Sequence, residues 1–158
     1  MAELHLRPAA LLAVAAGGLL GAPARYGLGR LFPTPTDGWP IGTFLANLSG
    51  AFVLGLLIAA LAHSGPDTGR RQQMRLFAGT GFCGALTTYS ALALETDLLA
   101  RRGHLALAVA YPLASMLSGL LAAAAGMALA IRGAPDPVQR QPRLPVDPDL
   151  PGEAAEPG

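Results

Sequence analysis

Four long apolar stretches, separated by short polar ones, occupy the first 132 residues of the chain. Each is long enough to cross a bilayer as a helix, which needs about 20 mostly apolar residues. The pattern therefore predicts an all-α membrane protein with four crossings per subunit and both termini on one side. The predicted helices cover residues 9–32, 41–63, 73–100 and 104–131, within a transmembrane domain of residues 1–132. Residues 133–158 are rich in Pro, Asp and Arg without periodicity, which predicts a disordered tail.

The third stretch differs from the others because small and polar residues interrupt it near its middle. Gly79, Gly81 and Gly84 precede the pair Thr87 and Thr88. At membrane depth, irregular backbone is tolerated only where protein buries it or where it lines a cavity. An opened helix there offers carbonyl groups to cations and amide groups to anions. The pattern predicts a helix broken at mid-membrane and, as a first hypothesis, an ion site at the bilayer centre.

Polar side chains also recur within the second and fourth stretches. Thr43 and Asn47, four residues apart, share one face of the second helix. Tyr111, Ser115 and Gly119 share one face of the fourth. Each set has two interpretations. The residues either pack and hydrogen-bond between helices, or they line a polar track that donates hydrogen bonds to an anion.

Two charged side chains lie within the apolar stretches. Arg25 sits in the first stretch, where an unpaired arginine is costly, so it either snorkels from the helix end or orients the central site. Gly17 and Gly21 in the same stretch predict a flat face for close helix packing. Glu95 lies nearer the core than Asp97. We therefore expect Glu95 to have a partner and Asp97 to belong to a solvated helix end.

Composition narrows the function classes. The chain is 52% hydrophobic and 13% charged with a net charge of +1, which is typical of membrane proteins and too weakly basic for nucleic-acid binding. Its single cysteine, Cys83, excludes an internal disulfide and a cysteine-cluster metal site. Outside the tail and Arg25, five arginines lie on the predicted terminal side and three on the other, which favours cytoplasmic termini. No nucleophile or phosphate loop in the sequence indicates an enzyme.

Four short helices cannot enclose a pore or bury these polar groups within one subunit, so we expect an oligomer. Three classes of protein then remain. A small ion channel would use the broken helix as its central site and the polar faces as its pathway. An exporter subunit would need a membrane-embedded acid for proton coupling, and only Glu95 is placed to serve. A purely structural membrane protein explains the glycines but not the interrupted helix together with two polar faces.

Several motifs of this sequence closely resemble those of the CrcB/Fluc fluoride channels. They are GGLLGAPARY at 17–26, GTFLANLSGAF at 42–52, TGFCGALTTYS at 80–90 and Tyr111-x-x-x-Ser115, in family order over about residues 10–131. The resemblance implies an antiparallel, dual-topology dimer in the cell membrane that passes fluoride passively out of the cytoplasm. It also implies a structural, untransported sodium ion at the dimer centre.

The resemblance assigns roles to individual residues. The sodium ligands would be the backbone carbonyls of Gly84 and Thr87 from both subunits, and Arg25 would support this centre. A hard cation prefers such oxygen ligands. Asn47 would donate a hydrogen bond to fluoride. The polar track beside it would comprise Thr43, Tyr111 and Ser115.

The chain departs from the family pattern just after the interruption. Tyr89 and Leu92 stand where the family has two phenylalanines whose positive ring edges face the anion. Tyr89 keeps an aromatic edge, whereas Leu92 has none, and Gly119 replaces a small polar residue on the fourth helix. Two alternatives to a homodimeric channel remain, the first suggested by these departures and the second by Glu95. The chain is a poorly conducting partner in a heterodimer with a second CrcB-like chain, or it is a subunit of a small multidrug-type exporter.

Overall fold

The computed structural model describes residues 8–36, 38–62 and 68–133, and in that part of the chain it is helical without strands. Three helices are long and apolar enough to cross a membrane. A helix of 22 residues spans about 33 Å, close to the thickness of the hydrocarbon core. The three are α1 (Pro8–Leu31), α2 (Ile41–Ala62) and α6 (Leu105–Arg132). The all-helical prediction is confirmed for the described residues.

Between α2 and α6 the chain follows a helical path that changes type along its length. Its parts are α3 (Arg70–Met74), a π-helical segment (Arg75–Cys83), α4 (Gly84–Leu86) and α5 (Tyr89–Arg101). None of these parts by itself is among the helices long enough to span a bilayer. Thr87 and Thr88 lie between α4 and α5 in extended backbone, with ψ of 155° and 123°.

The helical path opens at the threonine pair and not at the glycines. Gly79 and Gly81 remain within the π-helical segment, and Gly84 begins α4. The Thr87 hydroxyl donates to the Cys83 carbonyl at 2.9 Å, and the Thr88 hydroxyl accepts from a backbone amide in the first turn of α5. Threonine is a good N-cap because its side chain satisfies such an amide. The two side chains thus end one helix and start the next.

The first packing seam joins α1 to the π-helical segment through glycines. A Cβ atom at Gly17 would collide with the Phe77 carbonyl, and one at Gly81 would collide with the backbone of Val14 and Gly17. Gly21 makes the same kind of approach one turn later, against Phe82. The predicted packing role of Gly17 and Gly21 is confirmed. Backbone contact of this kind replaces the hydrophobic driving force that is missing in lipid.

The second seam joins α2 to α6, again through glycines that let the two backbones touch. A Cβ atom at Gly55 would collide with the Ala123 carbonyl, and one at Gly126 would collide with the Phe52 carbonyl. Gly50, one turn before this seam on α2, lies directly against the Thr87 side chain. Through Gly50, α2 therefore also contacts the residues where the helical path opens.

The contacts define two ends of the bundle. The starts of α1 and α3 meet at one end, which we call the Arg70 end. The end of α1, the start of α2 and the last turns of α5 meet at the other, which we call the Glu95 end. At the Glu95 end, Gly103 with φ of 85° terminates α5. The Asp97 carboxylate there accepts from Arg101 at 2.6 Å on an exposed surface, which confirms the predicted solvated helix end.

Candidate functional site

Asn47 clamps the open backbone between α4 and α5. The Thr88 amide donates to Asn47 Oδ1 at 2.8 Å, and Asn47 Nδ2 donates to the Thr88 carbonyl at 3.1 Å. These bonds replace helical bonds that Thr88 has lost, because its backbone is extended. A primary amide has a second N–H, and within the described part of the chain it meets no acceptor. Asn47 thus links α2 to the open backbone and still has one amide N–H available to donate.

The Thr87 carbonyl, in the open backbone, lies beside Arg25. Arg25 Nη1 donates to the Thr87 carbonyl at 3.4 Å, over 62 residues of sequence. Gly84 is exposed, and a Cβ atom added there would meet nothing within 4 Å. The last carbonyls of a helix have no partner within it, so this turn presents oxygen atoms on an open face of the subunit. Arg25 thus contacts the open backbone, and its role in orienting a central site stays a prediction.

Glu95 is the centre of a hydrogen-bonded cluster at the other end of the bundle. Thr43 Oγ1 donates to its Oε1 at 2.7 Å, and the Tyr111 hydroxyl donates to its Oε2 at 2.7 Å. Thr34 Oγ1 lies at 3.4 Å from the same carboxylate. The expectation that Glu95 has a partner is confirmed. The sequence pattern did not indicate that its partners are Thr43 and Tyr111, the residues assigned to the polar track.

The Tyr111 side chain is fully buried, with an exposed fraction of 0%. Its ring meets the Trp39 ring edge to face at 5.3 Å, and Trp39 meets Phe44 in the same way at 5.7 Å. Such aromatic pairs add to the energy of burial. The packing fixes the direction of the Tyr111 hydroxyl and so holds the Glu95 carboxylate in place.

Ser115 lies one turn after Tyr111 on α6. Its Oγ atom is buried and has no hydrogen-bond partner among the described residues. By contrast, Ser118 donates to the Ala114 carbonyl of its own helix at 2.6 Å. A buried hydroxyl without a partner is costly and needs an explanation, such as a ligand or a water molecule. Ser115 is therefore the serine of α6 that has a donor to offer.

The two residues at the family's phenylalanine positions have opposite surroundings. Tyr89 is 81% exposed, at the start of α5. Leu92 is 9% exposed and packs in a buried cluster with Leu99, Ala108 and Tyr111. The subunit alone therefore presents Tyr89 on its surface and keeps Leu92 in its own core.

An open cavity lies beside some of these groups. It has a volume of about 430 Å³, and its lining includes Arg25, Thr43, Thr88 and Ser90. Ser90 and Thr88 share a hydrogen bond of 3.2 Å between their hydroxyls. The cavity carries a guanidinium group and several hydroxyls without a carboxylate in its lining.

Comparison with known proteins agrees with this arrangement. A family model described as "CrcB-like protein, Camphor Resistance (CrcB)" matches residues 12–127. The chain belongs to the CrcB-like family. The match begins within α1 and ends within α6, so it includes every group of the candidate site. The predicted resemblance is confirmed.

Curated relatives of this CrcB-like chain have names that state a substrate. "Fluoride-specific ion channel FluC 3" of Streptomyces avermitilis is 44% identical over 79% of this chain and 60% of its own length. "Fluoride-specific ion channel FluC 2" of Leifsonia xyli subsp. xyli is 45% identical over 80% of this chain and 86% of its own. "Fluoride-specific ion channel FluC" of Paracoccus denitrificans is 44% identical over 73% of this chain and 90% of its own length. The chain thus spans less than two thirds of the first relative. With its family and long apolar helices, it is a multi-pass membrane protein.

Proposed function

We propose that this chain is a subunit of a fluoride-specific channel that passively exports cytoplasmic fluoride and reduces its toxicity. The observation that carries the proposal is the Asn47 clamp, which lies in the matched region and leaves an amide donor beside the open backbone. Relatives named as fluoride channels match the chain at 44% and 45% identity. A family of channels is not a class of enzymes.

Selectivity in such a pathway comes from donors that replace the hydration shell of the ion. Asn47 and the unpartnered Ser115 supply donors inside the subunit, and Arg25 adds positive charge at the cavity. Thr43 and Tyr111 point their hydroxyls at Glu95 and so hold one end of the track. Fluoride entering this end would compete with the carboxylate for those two donors.

The path from Arg70 to Arg101 is proposed as a fourth crossing, broken at mid-membrane. It runs beside α1 in the same direction through the first glycine seam, which supports its passage through the same bilayer. The open backbone at Thr87 and Thr88 is stabilised by Asn47 and does not face lipid unsatisfied. The exposed turn at Gly84 favours a second subunit packed against it, in an antiparallel dimer.

The carbonyl oxygens at this turn are suitable ligands for a structural sodium ion. The carbonyls of Gly84 and Thr87 are hard oxygen ligands, and those of two subunits together would surround a cation. Bound there, sodium would hold the two open backbones together as a cross-link. Arg25 donates to the Thr87 carbonyl in the single subunit and thereby orients it.

The first alternative is a poorly conducting partner subunit in a heterodimer with a second CrcB-like chain. Leu92 favours it, because this residue is buried in the core and offers no aromatic edge to an anion. The second alternative is a small multidrug-type exporter, in which Glu95 would carry protons. Glu95 also accepts hydrogen bonds from Thr43 and Tyr111 and so holds these two side chains in place, a role that is compatible with a channel.

The test is fluoride efflux from liposomes that contain the purified chain, with and without sodium. Sodium-dependent efflux from the single chain supports a homodimeric channel. Efflux only after addition of a second CrcB-like chain from the same genome supports the heterodimer, and no efflux in either case contradicts a channel. The variant Glu95→Gln, assayed with and without a proton gradient, separates the exporter, because only an exporter requires both the acid and the gradient.

A further inference from the structure

The helices that meet at the first glycine seam separate toward the Arg70 end. At the seam, the backbones of α1 and the π-helical segment touch around Gly17 and Gly81. Nearer the chain start, a cleft of about 780 Å³ lies between α1 and α3. The cleft is open toward the outside of the described chain, so it faces the membrane. Something other than these two helices must therefore occupy the cleft in the membrane.

The walls of the cleft are two matching helix faces. Arg70, Gln73, Met74 and Phe77 recur at the spacing of one helical face, and Leu12 faces them from α1. Leu12 is 69% exposed and Met74 is 53% exposed, so neither fills the gap. Along α3 and the π-helical segment that follows it, Arg70 and Gln73 lie at the outer end and Phe77 lies next to the seam. The cleft is thus polar at its mouth and apolar within.

Among the described residues, the charged side chains around the mouth are arginines. Arg71 and Arg75 flank the lining residues on the same helical path, and Arg132 ends α6. Within residues 8–36, 38–62 and 68–133, the acidic side chains are Glu95 and Asp97, both toward the other end of the bundle. Arginine clusters beside a membrane helix attract anionic lipid, by about 1 kcal/mol for each arginine near the surface.

We propose that this cleft binds one anionic phospholipid. An acyl chain packs against Leu12, Met74 and Phe77, and the phosphate accepts hydrogen bonds from Arg70 and Gln73. Arginine pairs well with phosphate because its planar fork can donate two parallel bonds. The occupant follows from the combination of an apolar interior with a cationic mouth. The site lies away from the proposed fluoride pathway, so it does not rest on that function.

Native mass spectrometry of the purified full chain tests the proposal, with phosphatidylglycerol or phosphatidylcholine added to the detergent. We expect a retained phosphatidylglycerol adduct and little phosphatidylcholine. Arg70→Gln should lower the retained lipid about five-fold, the effect of one arginine at an anionic surface. Arg71→Gln is the matched control, because it removes the same charge from a residue that does not line the cleft; it should lower the retained lipid less than Arg70→Gln, since only Arg70 donates directly to the phosphate.

A second pair of variants tests the cleft itself. Leu12→Trp fills the cleft while leaving the arginines in place, and it should abolish the adduct. Leu11→Trp is its control, because Leu11 is also exposed but lies outside the lining. Equal losses for Arg70→Gln and Arg71→Gln, equal binding of both lipids, or an adduct that survives Leu12→Trp would overturn the proposal. So would dissociation of an oligomer by Leu12→Trp in the same spectra, since a second copy would then fill the cleft.

Discussion

The glycine seams and the polar region around Thr87 and Thr88 use small and polar residues in opposite ways. In the seams, backbones touch while each helix keeps its own hydrogen bonds, so the contact is purely one of shape. In the polar region the backbone gives up helical bonds, and the Asn47 side chain replaces them. The difference separates residues that hold the helices together from residues that leave groups open to an ion. Variants in the two regions should therefore fail in different ways.

The largest expected effect lies in the first seam. Gly17→Val places a branched side chain against the backbone of Phe77 and Phe82, which cannot move aside as a side chain would. Overpacking typically lowers the free energy of unfolding by about 1 to 3 kcal/mol. Because the collision here is with backbone, we expect a loss of roughly 3 kcal/mol or more. Thermal unfolding in detergent and size-exclusion chromatography measure it.

Gly18→Val is the control for this seam variant. A Cβ atom at Gly18 meets nothing within 4 Å, although the residue is the direct neighbour of Gly17. It should keep the wild-type unfolding midpoint. Equal damage from the two variants would show that helix propensity, and not the seam, determines the loss.

Asn47→Ala should affect both stability and transport. It removes two bonds to Thr88 and leaves the backbone amide without its acceptor, which costs about 1 to 3 kcal/mol. Fluoride efflux should fall further than stability explains, because the spare amide donor is lost as well. Ser49→Ala is the matched control on the same helix, since Ser49 bonds only to carbonyls of α2. Wild-type efflux from Asn47→Ala under folded conditions would contradict the role of the donor.

Ser115→Ala should affect transport alone. Its hydroxyl has no partner within the described subunit, so its removal should leave the unfolding midpoint unchanged or slightly raised. Efflux should fall about five-fold, the ratio that corresponds to the loss of about 1 kcal/mol from one hydrogen bond. Ser118→Ala removes a hydroxyl that already bonds within α6 and should leave efflux unaltered. Similar efflux from Ser115→Ala and the wild type would place Ser115 outside the pathway.

The smallest effect is expected at the exposed end of α5. Asp97→Asn breaks the ion pair with Arg101. The Asp97 side chain is 52% exposed and the Arg101 side chain is 74% exposed. Exposed ion pairs contribute little because water and salt screen them. Neither the unfolding midpoint nor fluoride efflux should change. A clear loss of efflux would mean that the pair with Arg101 helps to position this end of the pathway.

The sequence by itself determined the helical class, the three long apolar helices and the glycine face of α1. These features depend on residue spacing within one segment, which the chain encodes directly. It also determined that Glu95 needs a partner, because a carboxylate near the core is costly when unpaired. The family could be recognised from motifs that each lie within about a dozen residues.

Only the tertiary structure decided which groups meet. Three glycines and the threonine pair together indicated an interruption, and within this stretch the helical path opens at Thr87 and Thr88 while Gly79, Gly81 and Gly84 stay helical. Gly81 packs closely on α1 and stays helical, whereas Asn47, 41 residues away, stabilises extended backbone at Thr88.

The partners of Glu95 were decided in the same way. Thr43 and Tyr111 lie 52 and 16 residues from it in sequence. Periodicity shows that a residue shares a face with others on its own helix. It does not show which face of another helix lies opposite, because that depends on how the seams orient the helices. The same limit applies to Leu92, whose burial in the core follows from the packing of α5 on α6.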